Sequence, residues 1–277
     1  MASKLVVFGG NGFLGKRICQ EAVTAGHRVV SVSRSGKAPQ GTELNDKQWI
    51  QEVQWTAADI FRPESYHELL KDASNVVHSL GILLENENYK KTLSKTPTND
   101  SKSYFSPFQT GSNPLKKSSP NFTYEMMNKQ SAVILANTFK QEILAKSKGE
   151  QAKVSERSFT YISADKGFPM IPSGYINSKR EAEIELERMQ EYFRPIIVRP
   201  GFMFDERRNA IGPRSLIHSA LELLYCGNKF LLQNKLPFMN DLIRPTVSTQ
   251  QVSHSILKKI ENSDFKGVVT LEEILKT

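Results

Sequence analysis

Within this chain of 277 residues, the pair best suited to chemistry is Tyr175 and Lys179, in the run Tyr175-Ile-Asn-Ser-Lys179. Four residues apart on a helix, the two side chains share a face. Ala182, Leu186, Met189 and Phe193 continue that face with apolar groups, so it points inward. A lysine on such a face is costly unless it has a task. An ammonium beside a phenol favours the phenolate and draws its pKa down from about 10. The phenol is then a usable general acid for protonating a carbonyl oxygen during hydride transfer. Ser163, twelve residues upstream at the end of a predicted strand, can hydrogen-bond the same oxygen. Tyr-x-x-x-Lys also arises by chance, so the spacing alone leaves a catalytic and a structural reading open.

A second group concerns phosphate. Gly9, Gly12 and Gly15 have the spacing G-x-x-G-x-x-G in Gly9-Gly10-Asn11-Gly12-Phe13-Leu14-Gly15. One glycine permits a tight strand-to-helix turn, one lets backbone N–H groups approach a pyrophosphate, and one lets the helix pack hard on the strand. The helix N-terminus then faces the negative charge. The loop sits between an apolar strand and an amphipathic helix, which is the context that gives the motif meaning.

The third group stands at the end of the second predicted strand, Ser31-Val32-Ser33-Arg34-Ser35. An acidic residue there would take a ribose 2′-hydroxyl. None occurs before Glu43. Ser33 and Arg34 suit a 2′-phosphate, because a guanidinium can grip it bidentately. NADP(H) is favoured over NAD(H) on this ground.

The elements that must position these groups are legible in outline. Lys4–Phe8 is a buried strand and Gly12–Ala25 a helix, stopped by Gly26. Arg28–Ser33, Val53–Ala57 and Asn75–Ser79 read as strands two to four. Tyr124–Leu144 is a helix, Ser158–Ile162 a strand, Tyr175–Tyr192 a helix and Pro195–Arg199 a strand. Strand–helix–strand within about 30 residues predicts an α/β, Rossmann-type doubly wound parallel sheet. Residues 1–205 form that domain. Residues 206–277 are expected to form a small C-terminal substrate-side lobe. Residues 86–121 are polar and aperiodic, too long for an ordinary loop. They read as a mobile insertion, with or without a docking role.

Composition narrows the partners. The formal charge is +8, of which residues 86–120 supply +4 through six lysines against Glu87 and Asp100. With no zinc-ligand spacing and no aromatic-basic motif, neither a metal site nor nucleic-acid binding is expected. No apolar run approaches the roughly 20 residues of a membrane span, and the helix expected over Ser215–Cys226 is too short. The two cysteines, Cys19 and Cys226, read as core thiols of a reducing compartment. A strand that begins at Lys4 leaves no room ahead of it for a cleavable presequence.

Together these residues resemble the short-chain dehydrogenase/reductase family. The shared marks are the Gly9/Gly12/Gly15 loop, Asp59 after the third strand, Gly81 after the fourth, Asn128, Ser163, Tyr175, Lys179 and Arg199-Pro200-Gly201. The likeness covers about residues 4 to 205. It implies that Asn128, Ser163, Tyr175 and Lys179 form the catalytic group, with Asn128 holding a relay water. It implies cofactor contacts from Gly9, Gly12, Phe13, Leu14, Gly15, Ser33, Arg34, Asp59, Ile60, Gly81, Lys179 and Pro200. Departures are Phe8 where many members have threonine, His78-Ser79-Leu80-Gly81 for the usual Asn-Asn-Ala-Gly, and the long insertion.

These departures resemble the atypical branch of the family, which includes a complex I accessory subunit with a structural nucleotide and a fungal mitochondrial member associated with coenzyme Q biosynthesis. That resemblance implies a mitochondrial protein, peripheral on the matrix side of the inner membrane, with subunits of the ubiquinone-biosynthesis complex as partners. Two functions stay open: an oxidoreductase, or a nucleotide-binding scaffold. A third is a free reductase of an unrelated small carbonyl.

Overall fold

The computed structural model describes residues 3–40, 44–83, 121–146, 154–165, 171–206 and 244–277. Five-residue β1 (Lys4–Phe8) enters the glycine loop, and α1 (Gly15–Thr24) leaves it. Next come β2 (Arg28–Ser33), α2 (Leu44–Glu52), β3 (Gln54–Ala57), the short α3 (His67–Leu70) and β4 (Asn75–His78). A π-helical turn, Glu125–Gln130, opens directly into α4 (Ser131–Lys146). Then follow β5 (Ser158–Ile162), α5 (Ser173–Glu187), β6 (Arg194–Val198), β7 (Met203–Phe204), β8 (Val247–Ser248), α6 (Thr249–Glu261), β9 (Gly267–Val269) and α7 (Leu271–Leu275).

Seven strands form one parallel sheet in the order β3-β2-β1-β4-β5-β6-β9. The order reverses between β1 and β4. Ligands of open α/β sheets bind outside the carboxyl ends of the strands at such a switch point. Strand side chains alternate between faces, and both faces are covered. Leu5, Val7, Val29, Ile196 and Val198 pack with α1, α6 and α7 on one side. Val6, Phe8, Val30, Val32 and Ile197 pack with α3, α4 and α5 on the other. This is the doubly wound sheet expected from the apolar runs.

Two features add to the sequence reading. The described part of the small C-terminal lobe expected over 206–277, residues 244–277, is built into the main sheet and its core. β9 is the edge strand beside β6, and α6 packs along α1 within the same core. The apolar residues of the tail (Val252, Ile256, Ile260, Val269, Ile274) are the cover for one face of the sheet, and without them Val7 and Ile18 would be exposed. The buried Arg194 guanidinium also binds four carbonyls at the end of α6, those of Lys259, Ile260, Asn262 and Phe265, and so caps that helix against β6. Second, the helix between β2 and β3 had no clear periodic signal. Among its residues 46–52 the buried side chain is Trp49, whose indole N–H reaches Asp46.

The 86–121 insertion, except for residue 121, and the expected helix Ser215–Cys226 lie outside the described residues. Among the described residues no helix is long and apolar enough to cross a membrane, and no group of three or more His, Cys, Asp or Glu could hold a metal ion. Cys19 is buried in the core, and burial pushes its thiol up to about 12.

Candidate functional site

The glycine loop is built by contacts that exclude side chains. Gly9 has φ +87, and a Cβ there would lie 2.8 Å from the Ser79 carbonyl oxygen. At Gly15 a Cβ would fall 2.1 Å from the Gly9 carbonyl oxygen, which is the close helix-on-strand packing that position requires. Gly12 is exposed at the tip, with its N–H bonded to the Gly9 carbonyl at 2.8 Å. Leu14 and Gly15 are buried, and Phe13 is half-buried. No acidic residue stands in the first turn of α1. A loop whose glycines bring the backbone into close approach, leading into a helix N-terminus without a carboxylate, fits a pyrophosphate.

The loop after β2 is held beside it. Asn11 Nδ2 donates to the Lys37 carbonyl at 2.9 Å, and the Gly36 N–H donates to Ser33 Oγ at 3.1 Å. Arg34 is exposed. Asp59 follows β3, accepting from the Phe61 N–H at 3.1 Å. Ile60 is buried next to it, and its carbonyl accepts from the Tyr66 hydroxyl. Ser33, Arg34, Asp59 and Ile60 thus stand at the carboxyl ends of β2 and β3, on the outer side of the switch point.

Across the switch point, at the ends of β4, β5 and β6, lie Gly81, Asn128, Ser163, Lys179 and Pro200. Lys179 is 3 % exposed, and its ammonium donates to the Ile162 carbonyl at 2.7 Å. It also lies 4.7 Å from the centre of the Tyr161 ring. A Cβ on Gly81 would meet Asn128 Oδ1 at 3.0 Å and Lys179 Nζ at 3.1 Å. Tyr175, one turn before Lys179, is half-buried with its ring edge-on to Tyr124. Pro200 is buried, and its carbonyl accepts from the Asp165 N–H.

Two of the expected catalytic side chains are engaged inside the protein. Asn128 Oδ1 accepts from the Ile82 N–H at 2.9 Å, and its Nδ2 donates to the Ile82 carbonyl and to Ser178 Oγ, both at 3.2 Å. Ser163 Oγ donates to Glu183 Oε1. Glu183, 3 % exposed, also binds Arg180 and Arg199, and Arg180 donates to Ser163 Oγ at 3.2 Å. Sequence reasoning missed Glu183, although it follows Lys179 by four residues and so lies on the same helix face. It also missed Arg17 and Asp205, a buried pair at 3.0 Å that ties the first turn of α1 to the end of β7. Lys16 joins that pair, and the carboxyl of Asp205 is held below its usual range despite burial, by the Arg17 and Lys16 charges.

The sheet order, the glycine loop and the groups at the strand ends define a dinucleotide-binding Rossmann protein. A model of the NAD dependent epimerase/dehydratase family matches residues 5–96. The chain is 82 % identical to "MIOREX complex component 2" of Saccharomyces cerevisiae, over 100 % of both chains. It is 26 % identical to an uncharacterized chloroplastic protein of Arabidopsis thaliana, over 99 % of this chain and 76 % of that one. Solved structures with the same fold include a short-chain dehydrogenase/reductase family oxidoreductase of Burkholderia thailandensis, with TM-score 0.55, 11 % identity, and coverage of 99 % of this chain and 94 % of that one. BdcA in complex with NADPH gives TM-score 0.58 at 14 % identity, covering 97 % and 92 %. The chain belongs to one family with MIOREX complex component 2, and its residues 5–96 carry the NAD dependent epimerase/dehydratase match.

Proposed function

We propose that this protein binds NADP(H) and serves a mitochondrial assembly as its nucleotide-binding component. Gly9, Gly12, Phe13, Leu14 and Gly15 hold the pyrophosphate, Ser33 and Arg34 the 2′-phosphate, Asp59 and Ile60 the adenine side. Gly81, Lys179 and Pro200 hold the nicotinamide half, the part that supplies hydride chemistry when bound. The observation that carries the scaffold reading is the bond from Ser163 to Glu183. A hydroxyl has one hydrogen, and here it goes to a buried carboxylate. To polarise a carbonyl, Ser163 would have to break a charge-assisted bond. The amide of Asn128 is likewise satisfied at both ends, so neither group is poised as the oxidoreductase reading needs. The oxidoreductase reading keeps one specific support, the half-exposed ring of Tyr175 one turn from Lys179.

The assembly is argued from the yeast relative's name, and the compartment from the family resemblance. Ubiquinone-pathway partners and a peripheral place on the matrix face of the inner membrane rest on that resemblance alone. The test uses a strain lacking the gene, complemented with Gly12→Val or Tyr175→Phe, with quinone levels, partner co-purification and NADPH affinity measured. The scaffold reading expects Tyr175→Phe to rescue and Gly12→Val to fail. Failure of Tyr175→Phe with normal protein level and normal NADPH binding makes the protein a reductase. Normal quinone in the strain lacking the gene removes the ubiquinone pathway.

A further inference from the structure

The π-helical turn Glu125–Gln130 is clamped from below by two residues that sequence reasoning gave no task. In such a turn the carbonyls at the junction with regular helix need other partners. Two of them find side-chain donors. The Tyr161 hydroxyl donates to the Asn128 carbonyl at 2.6 Å, and Ser131 Oγ donates to the Met127 carbonyl at 2.8 Å. With its one hydrogen spent on Met127, Ser131 Oγ can only accept from His78 Nε2, 2.8 Å away. His78 is therefore the neutral tautomer with hydrogen on Nε2. Its Nδ1, also buried, has no hydrogen-bond partner among the described residues. Burial and the Lys179 charge push the imidazole down to about 3, which keeps this tautomer uncharged.

His78 and Tyr161 are register partners on β4 and β5, with ring centres 5.5 Å apart, and both are fully buried. One strand pair thus delivers two hydrogen bonds, one direct and one through Ser131, to consecutive carbonyls of the turn. The turn carries Asn128, whose amide fixes the Ile82 backbone and Ser178. Gly81, next to Ile82, is in turn closed in by Asn128 Oδ1 and Lys179 Nζ. The pleat of β4 and β5 therefore reaches the strand-end site through the π turn.

We propose that His78 and Tyr161 are positioning residues that hold the π turn so that Asn128 and Lys179 close on Gly81, where the nicotinamide half of the dinucleotide binds. This rests on the nucleotide reading above. The two mononucleotide halves lie on opposite sides of the switch point. The clamp therefore acts on one half and leaves the adenine half, at β2 and β3, untouched.

The test measures affinity of the full-length protein for NADPH and for 2′,5′-ADP, which presents the adenine-side groups without the nicotinamide riboside. Tyr161→Phe and His78→Leu should weaken NADPH about threefold to tenfold, as expected for one lost hydrogen bond, and leave 2′,5′-ADP within about twofold. His78→Gln, whose amide can donate to Ser131 from near the position of Nε2, should restore NADPH affinity. A merely structural role would weaken both ligands together. That outcome, unchanged NADPH affinity in Tyr161→Phe, or no recovery in His78→Gln overturns the proposal. Tyr161→Phe removes one oxygen and keeps the ring, so it decides the matter should His78→Leu fail to fold. Wild-type protein that binds neither ligand overturns the nucleotide reading itself.

Discussion

The Ser163 hydroxyl donates to Glu183, and Glu183 stands one helical turn beyond Lys179 on α5. The residue expected to polarise a substrate is thus held by the helix that carries the expected acid. Arg180 and Arg199 neutralise the buried carboxylate, and Arg180 also donates to the carbonyls of Ala164 and Asp165. The cluster ties α5 to the ends of β5 and β6.

Ser163→Ala should therefore behave as a structural change. It removes two hydrogen bonds, the one donated to Glu183 and the one accepted from Arg180, and leaves Glu183 with both arginines, for a loss of about 1–2 kcal/mol. NADPH affinity and rescue of the strain lacking the gene should stay at wild-type levels. Glu183→Ala leaves two partly buried guanidinium groups without their carboxylate and should cost about 3 kcal/mol. Urea unfolding gives both numbers. Lost rescue in Ser163→Ala at normal stability would show that the hydroxyl does chemistry.

Two glycines of the loop should separate binding from folding. Gly15→Ala puts a Cβ against the backbone of Gly9 and Gly10, neither of which can move away cheaply. It should destabilise by about 3 kcal/mol. A Cβ on exposed Gly12 would lie 2.9 Å from the Gly9 carbonyl oxygen against 2.1 Å at Gly15, so Gly12→Val should cost less stability than Gly15→Ala and abolish the rise that NADPH produces in wild type. Retained nucleotide stabilisation in Gly12→Val would make the loop a structural turn.

Cofactor choice should depend on Arg34. With no acid between Ser33 and Gln40, the end of β2 offers a 2′-phosphate a cation and a 2′-hydroxyl no carboxylate. NADPH should bind more tightly than NADH, and Arg34→Ala should shrink the ratio about tenfold by calorimetry. Equal wild-type affinities would end this argument.

Acid stability should report on His78. Its imidazole titrates near 3 in the folded chain against 6.5 for the free group, through burial first and the Lys179 charge second. Below pH 6.5 the unfolded chain takes up a proton that the folded chain refuses. The stability contributed by keeping His78 neutral is thus whole above 6.5 and lost as pH falls towards 3. The loss is about 1.4 kcal/mol per pH unit, or about 2 kcal/mol by pH 5. His78→Gln should remove that part of the slope between pH 7 and 5. An unchanged slope would assign it to other groups.

Local pattern was enough to specify the doubly wound sheet, because apolar strands buried on both faces and an amphipathic helix behind a glycine loop have few other ways to pack. The side chains at the strand ends were legible too, since a strand's last residue and a helix's i,i+4 face follow from local geometry. The destinations of hydrogens and charges come from the packed fold. Ser163 meets Glu183 across 20 residues, Asn128 meets Ile82 across 46, and Arg17 meets Asp205 across 188. No local pattern encodes such partners, because they are set by the sheet order and by the crossing of α5 and α6 over it. The place of the tail in the core was hidden for the same reason. β9 and α7 are short and read as irregular in sequence, yet their apolar residues are what one face of the sheet needs to be buried.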